Sequence, residues 1–247
     1  MADIDVLSDK LGIPWEKAKD IPFGTTVPFI SFQWDLTVCM VSITESKKKK
    51  YHLVIQEWES KLKHTLDEVQ KLYGKLLHAC HIVPSGCTYL TNLEAFMGQF
   101  HHCPFCLHSP LCRTASDLQW WKAKLTQPIL ARPIPSPTPI LDADAYSDAS
   151  SETGIGITIS DKWRAWQLLP GWKADGRDIG WAEAVGFLLL ILTLTPSISK
   201  GSHVKVFGDN RGVMEGWWKG RSRNKLTNDI FRDVYTFTEE EGILVHT

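Results

Sequence analysis

The chain has 247 residues, a formal net charge of −1, and 43% hydrophobic against 22% charged residues. This is the balance of an ordinary globular protein, with length for one large domain or two small ones. So small a net charge excludes a chain-wide attraction to nucleic acid; any such affinity must come from local patches.

The longest apolar run, Val185 to Leu194, is interrupted by Gly186 and Thr193. It falls short of the ~20 residues a bilayer span needs. The N-terminus, MADIDVLSDK, is acidic and has no apolar stretch of the kind a secretory signal carries. The expectation is an intracellular protein, in cytoplasm or nucleus, neither secreted nor membrane-bound. Its six cysteines should then remain unpaired thiols.

In chain order, residues 27–43, VPFISFQWDLTVCMVSI, read as two short strands broken near Asp35. The period then changes. Tyr51, Val54, Ile55, Trp58 and Leu62 lie on one face of a helix. Lys47 to Lys50 open that helix, where cations oppose the macrodipole by ~0.3–1 kcal/mol each. They are read as a solvated face, with phosphate binding as the alternative.

Thr65-Leu66-Asp67-Glu68 has the capping-box pattern. Val69, Leu72, Tyr73, Leu76, Leu77 and Cys80 then form the stripe of a second helix. Pro84, Ser85 and Gly86 break it, and a shorter helix follows around Tyr89 to Met97. Tryptophan pairs at 120–121 and 217–218 suggest buried packing, with base stacking as a lesser reading.

Residues 126–140, TQPILARPIPSPTPI, favour extended backbone through alternating prolines. A linker is placed at 131–140, dividing a region 1–130 from a domain 141–247. The later pattern is β, β, β, α, β, α, β. Strands are expected at Ile140–Asp148, Gly154–Ser160, Arg164–Leu169, His203–Asp209 and Ile243–His246. A long helix should run from Asp178 to Leu194, with helical residues from Arg211 to Glu241 broken near Gly220.

Three carboxylates occupy special places in this half. Asp148 closes the first strand, Glu183 lies in the first turns of the long helix, and Asp209 closes the fourth strand. If those strands are neighbours, both aspartates lie at one end of the sheet, and the helix can bring Glu183 beside them. Three carboxylates so close repel unless a divalent cation neutralises them, and an all-oxygen set suits Mg²⁺. Each residue also has a plainer reading. Asp148 is a common turn residue, with Asp142 and Asp144 as rivals on the same strand face. Glu183 could serve the helix dipole. Asp209-Asn210 could be a turn or cap.

The order Asp, Glu, Asp on strand, helix, strand resembles the ribonuclease H domain carried by retrotransposon reverse transcriptases. Tyr146-Ser147-Asp148-Ala149-Ser150 is similar to that family's first strand. Trp181-Ala182-Glu183-Ala184 resembles its helix-borne glutamate, and Phe207-Gly208-Asp209-Asn210 its third carboxylate. The words LLPGWKADGRDIGWAEA and GRSRN look closest to fungal-type retroelement polyproteins. Residues 1–130 resemble, less sharply, the end of a reverse-transcriptase palm running into thumb and connection.

The resemblance implies an α/β fold. A ribonuclease H-like mixed five-stranded sheet with flanking helices would follow a smaller, mainly helical region with an N-terminal β-hairpin. It implies two Mg²⁺ (or Mn²⁺) ions on Asp148, Glu183 and Asp209, and hydrolysis of the RNA strand of an RNA–DNA hybrid. The remainder of a retroelement polyprotein would be a partner. Ser150 and Asn210 beside the ligands would contact the substrate, and Arg221, Arg223, Asn224 and Lys225 its phosphate backbone.

There are two departures. The Tyr-x-Asp-Asp box of the polymerase site is absent, so no polymerase activity is expected. The family's fourth aspartate follows the fifth strand, whereas this chain stops at Ile243–Thr247. A catalytically inactive remnant that binds nucleic acid or a partner is therefore the alternative. A separate cluster, His101, His102, Cys103, Cys106, His108 and Cys112, has one pair at zinc spacing and no good second pair.

Overall fold

The fold is described from a computed structural model, for residues 2–13, 16, 21, 24–101, 103–134 and 138–247. His102 and positions 135–137 of the expected linker lie outside the described residues.

The chain folds as mixed α/β around two sheets. After helix α1 (Ala2–Leu11), strands β1 (Thr26–Phe29), β2 (Phe32–Asp35) and β3 (Met40–Ile43) form an antiparallel meander. Two strands were expected here, and there are three. The extra turn is made by Ile30 and Ser31, both at positive φ, 48° and 70°. β4 (Ala131–Pro133) pairs antiparallel with β3, completing the order β1-β2-β3-β4. The Pro-rich stretch is therefore no simple linker: its first residues complete a sheet, and Ile140 already begins the next.

Helices α2 (Glu45–Glu59), α3 (Leu66–Ala79), α4 (Thr91–Met97) and α5 (Thr114–Leu125) pack against this sheet. Thr65 and Glu68 form the reciprocal capping box at the start of α3. Ile55, Val69, Leu72, Leu76, Leu93, Phe96 and Trp121 build one core. Leu62 is 89% exposed, because α2 ends three residues before it. The lysine run is also not uniformly solvated. Lys48 is buried, and its ammonium donates to Glu45 and to the carbonyls of Gln127 and Pro128. This first part, residues 2–134, is larger than the second, and its N-terminal β structure is a sheet rather than a hairpin.

The second sheet contains β5 (Ile140–Ser150), β6 (Gly154–Ile159), β7 (Lys162–Trp166), β8 (His203–Gly208) and β9 (Leu244–His246), in the order β7-β6-β5-β8-β9. β5, β6 and β7 are antiparallel, while β8 and β9 join parallel to β5. The mixed five-stranded sheet is as expected, with strand ends displaced by a few residues. β5 alternates strictly beyond residue 144: Ala145, Ser147 and Ala149 are buried, whereas Tyr146, Asp148 and Ser150 face outward. Before that it carries a bulge. Asp142 pairs with Lys205 and Tyr146 with Phe207, and Asp144 between them has φ 47°.

α6 (Ile179–Leu194) covers the inner face of β5 and β6. With its 3₁₀ extension to Ser197 it is long and apolar enough, by length and composition, to cross a membrane. Its position accounts for that composition. Ala184, Phe187, Leu190, Ile191 and Leu194 are buried among β5, β8 and the helices α7 (Arg211–Trp218) and α8 (Lys225–Glu241). α8 also packs on the 3₁₀ turn Pro84–Tyr89 of the first part. There Asn228 and Arg232 donate to the Thr88 carbonyl, and Arg232 pairs at 3.0 Å with Asp117, which is buried.

Candidate metal centre

The β5–β8 register sets two of the three carboxylates side by side. Ser147 pairs with Gly208 in this parallel ladder, so Asp148 and Asp209 stand one step further along at the same level. The third arrives from the helix. Asp178 caps α6, accepting from the Trp181 N–H at 2.9 Å, and Glu183 follows in the second turn. One turn later comes Gly186. A Cβ there would lie 3.2 Å from Ile155 and 3.6 Å from the Ser147 side chain. The glycine that interrupted the apolar run thus lies where α6 comes close to β5 and β6, one turn from Glu183.

One ligand oxygen from each of Asp148, Glu183 and Asp209 lies within 4.8 Å of the others. Among the described residues, this is the only group of three or more His, Cys, Asp or Glu brought together in this way. Asp148 and Asp209 are exposed and Glu183 is buried. Burial pushes the Glu183 carboxyl up to about 7, and the charges of Asp148 and Asp209 push the same way, against a hydrogen bond from the Ala149 N–H. Among the described residues, none of the three has a salt-bridge partner. A site with one face open to solvent, three oxygen ligands and uncompensated negative charge fits a hard divalent cation.

The rivals Asp142 and Asp144 are taken up by the bulge: Asp142 Oδ1 accepts from the Asp144 N–H at 3.0 Å. The expected substrate residues divide. Ser150 stands on the outward face with Asp148, and its Oγ accepts from the turn residues Glu152 and Thr153. Asn210 follows Asp209 directly and caps α7 by accepting from Val213 N–H. Asn224 caps α8 and donates to Asp178, tying residues 221–225 to the start of α6. Arg223 and Lys225 there are exposed. Arg221 turns away, into an ion pair with Glu94 of the first part at 2.6 Å.

One feature had no signal in any short word of the sequence. The outward face of β5, β6 and β7 carries a groove of about 470 Å³ that begins at Asp148 and is lined by Tyr146, Ser150, Gly156, Thr158 and Trp163. Tyr146 stacks on Phe207, with the Lys205 ammonium 4.5 Å from the Phe207 ring centre. Strand pairing across 60 residues puts these groups together, and alternation alone cannot show which strands pair.

The zinc reading of the Cys/His cluster loses its best pair. Cys103 and Cys106 are joined as a disulfide, so not all six cysteines are free thiols. Cys39, Cys80, Cys87 and Cys112 are. His108 is held by a two-way backbone bridge to His64. The tryptophan pairs divide as well: Trp121 and Trp217 are buried, and Trp218 is 78% exposed.

Comparison of the chain with protein-family models, with curated proteins and with solved structures finds no match in any of the three.

Proposed function

We propose that this chain is a retroelement-derived, ribonuclease H-like nuclease domain that hydrolyses the RNA strand of RNA–DNA hybrids. The observation that carries the reading is the convergence of Asp148, Glu183 and Asp209 within 4.8 Å, from strand, helix and strand end. The oxygen set suits Mg²⁺ or Mn²⁺. Two such ions, ~3.5–4 Å apart, would supply an activated water and charge neutralisation at the leaving oxygen.

The chain's own residues have separate tasks in this reading. Asp148 and Asp209 present their carboxylates at the solvent-facing rim, where a phosphodiester can approach. Glu183, buried on α6, closes the site from the helix side. Arg223 and Lys225, tied to the start of α6 through Asn224, bind backbone phosphates and fix the position of the duplex without reading its sequence. Ser150 and Asn210 flank the ligands and limit how the substrate strand lies.

The test is hydrolysis of a labelled RNA–DNA hybrid with Mg²⁺, beside Asp209→Asn. Cleavage by the parent chain and none by the variant is expected. Hybrid bound but uncut by both proteins would replace the nuclease reading with that of a binding module.

A further inference from the structure

Cys103 and Cys106 form the one disulfide among the chain's six cysteines. The bond lies in the connection between α4 and α5, in the first part of the chain, and closes a loop of only four residues, Cys103-Pro104-Phe105-Cys106. Backbone bonds already fasten this turn. The Pro104 carbonyl accepts from the N–H of Leu66, the first residue of α3, at 3.3 Å. The Cys106 N–H donates to the Cys103 carbonyl at 3.2 Å, and His108 exchanges two backbone hydrogen bonds with His64, at 2.9 and 3.0 Å.

As a cross-link, a bond here restrains little. The entropy a disulfide removes from the unfolded chain grows with the length of the loop it closes. The bond is also open to solvent. Cys106 is exposed and Cys103 half-buried. Phe105, between them, is 87% exposed, and Leu107, next to Cys106, is 58% exposed. A thiolate can reach the Cys106 sulfur, and the two apolar side chains beside it offer an incoming molecule a contact.

We propose that Cys103–Cys106 is a thiol–disulfide exchange site, opened and re-formed by thiols of the glutathione class, with Cys106 the sulfur attacked.

The incoming thiolate attacks the Cys106 sulfur. A new S–S bond forms there, the Cys103–Cys106 bond breaks, and Cys103 leaves as a thiolate that takes a proton from water. A second thiolate then attacks the sulfur of the bound small thiol. The small disulfide forms, and Cys106 leaves as a thiolate. Two small thiols are oxidised by two electrons, and the protein disulfide is reduced by two. The small disulfide drives the same steps backwards. The turn keeps its place in both states, because its backbone bonds do not involve the sulfurs.

The test equilibrates the folded full chain with reduced or oxidised glutathione, quenches it in acid, alkylates free thiols and digests with chymotrypsin. Cleavage after Phe105 opens the loop, so the two halves stay joined only through the sulfurs. Excess reduced glutathione should leave both halves separate and alkylated, and oxidised glutathione should restore the joined peptide. In Cys103→Ser, a glutathione adduct should form on Cys106 several times faster than on Cys103 in Cys106→Ser. A bond that survives excess glutathione in the folded chain, and opens only in denaturant, would be a structural staple and would overturn the proposal. Two free thiols that persist under oxidised glutathione would overturn it too, and the reverse order of rates would overturn the assignment of Cys106. The wild-type digest gives its answer even if a variant fails to fold.

Discussion

Glu183→Gln should stabilise the metal-free protein at alkaline pH, although it removes a residue from the candidate site. Glu183 is 6% exposed and sits between two other carboxylates. Raising its carboxyl from the usual 4.5 to about 7 corresponds to about 3 kcal/mol, at about 1.36 kcal/mol per tenfold change in proton affinity. The sign follows from linkage. The folded chain holds this proton more tightly than the unfolded chain, so folding is favoured below the unfolded value and loses stability as pH rises toward about 7. Glutamine cannot ionise, and its carbonyl oxygen can still accept from the Ala149 N–H. In urea unfolding with a chelator, the variant should match wild type near pH ~4 and exceed it by up to about 3 kcal/mol near pH ~8.5. Adding Mg²⁺ at the higher pH should restore wild type and do little for the variant. A difference between the two proteins that stays the same across this pH range would refute the argument.

Two further outcomes follow from the packing. Arg232→Met should cost about 3–5 kcal/mol, because it leaves Asp117 buried and charged beside Thr88; denaturant midpoints measure this, and a loss below about 1 kcal/mol would mean that the pair behaves as a surface bridge. Gly186→Val should cost about 1–3 kcal/mol by overpacking against Ile155 and should also weaken Mg²⁺ binding, since it lifts the turn that carries Glu183. Calorimetric titration separates the two effects, and unchanged metal affinity would remove Gly186 from the positioning of the site.

Much of the second half was legible because its signals are local. β5 shows alternation, α6 shows an Asp cap and an apolar body, and the Asn caps of α7 and α8 bracket the break near Gly220. The carboxylates could be placed from strand ends and one helix turn. The first part was less legible. Ile30 is a poor candidate for a turn at positive φ, so the β1–β2 hairpin read as one strand. α5 has an ordinary inward spacing through Leu118, Trp121 and Leu125, but Asp117 lies on the same face. A buried carboxylate does not count as core until Asn92 and Arg232 are known to meet it. Lys48 misled for the same reason: the two carbonyls it serves lie about 80 residues away in the chain. Arg221, Asn210 and Asn224 were chosen for their charge or polarity near the site, and they turned out to hold the helices as well.

The bulge in β5 has a consequence for how such a chain can change over generations. Between Asp142 and Tyr146 the strand advances four residues while β8 advances two, so this stretch already carries slack. A residue gained or lost at 143–145 can be taken up there without disturbing the ladder on either side. From Tyr146 to Ser150 there is no slack. One residue added or removed would turn Asp148 inward against α6 and bring a small buried residue out in its place. Sequences that descend from this fold should therefore carry their alignment gaps just upstream of Tyr146 and keep a fixed count from there to Asp148. The strand has a region where length can drift and a region where it cannot, and the carboxylate lies in the second.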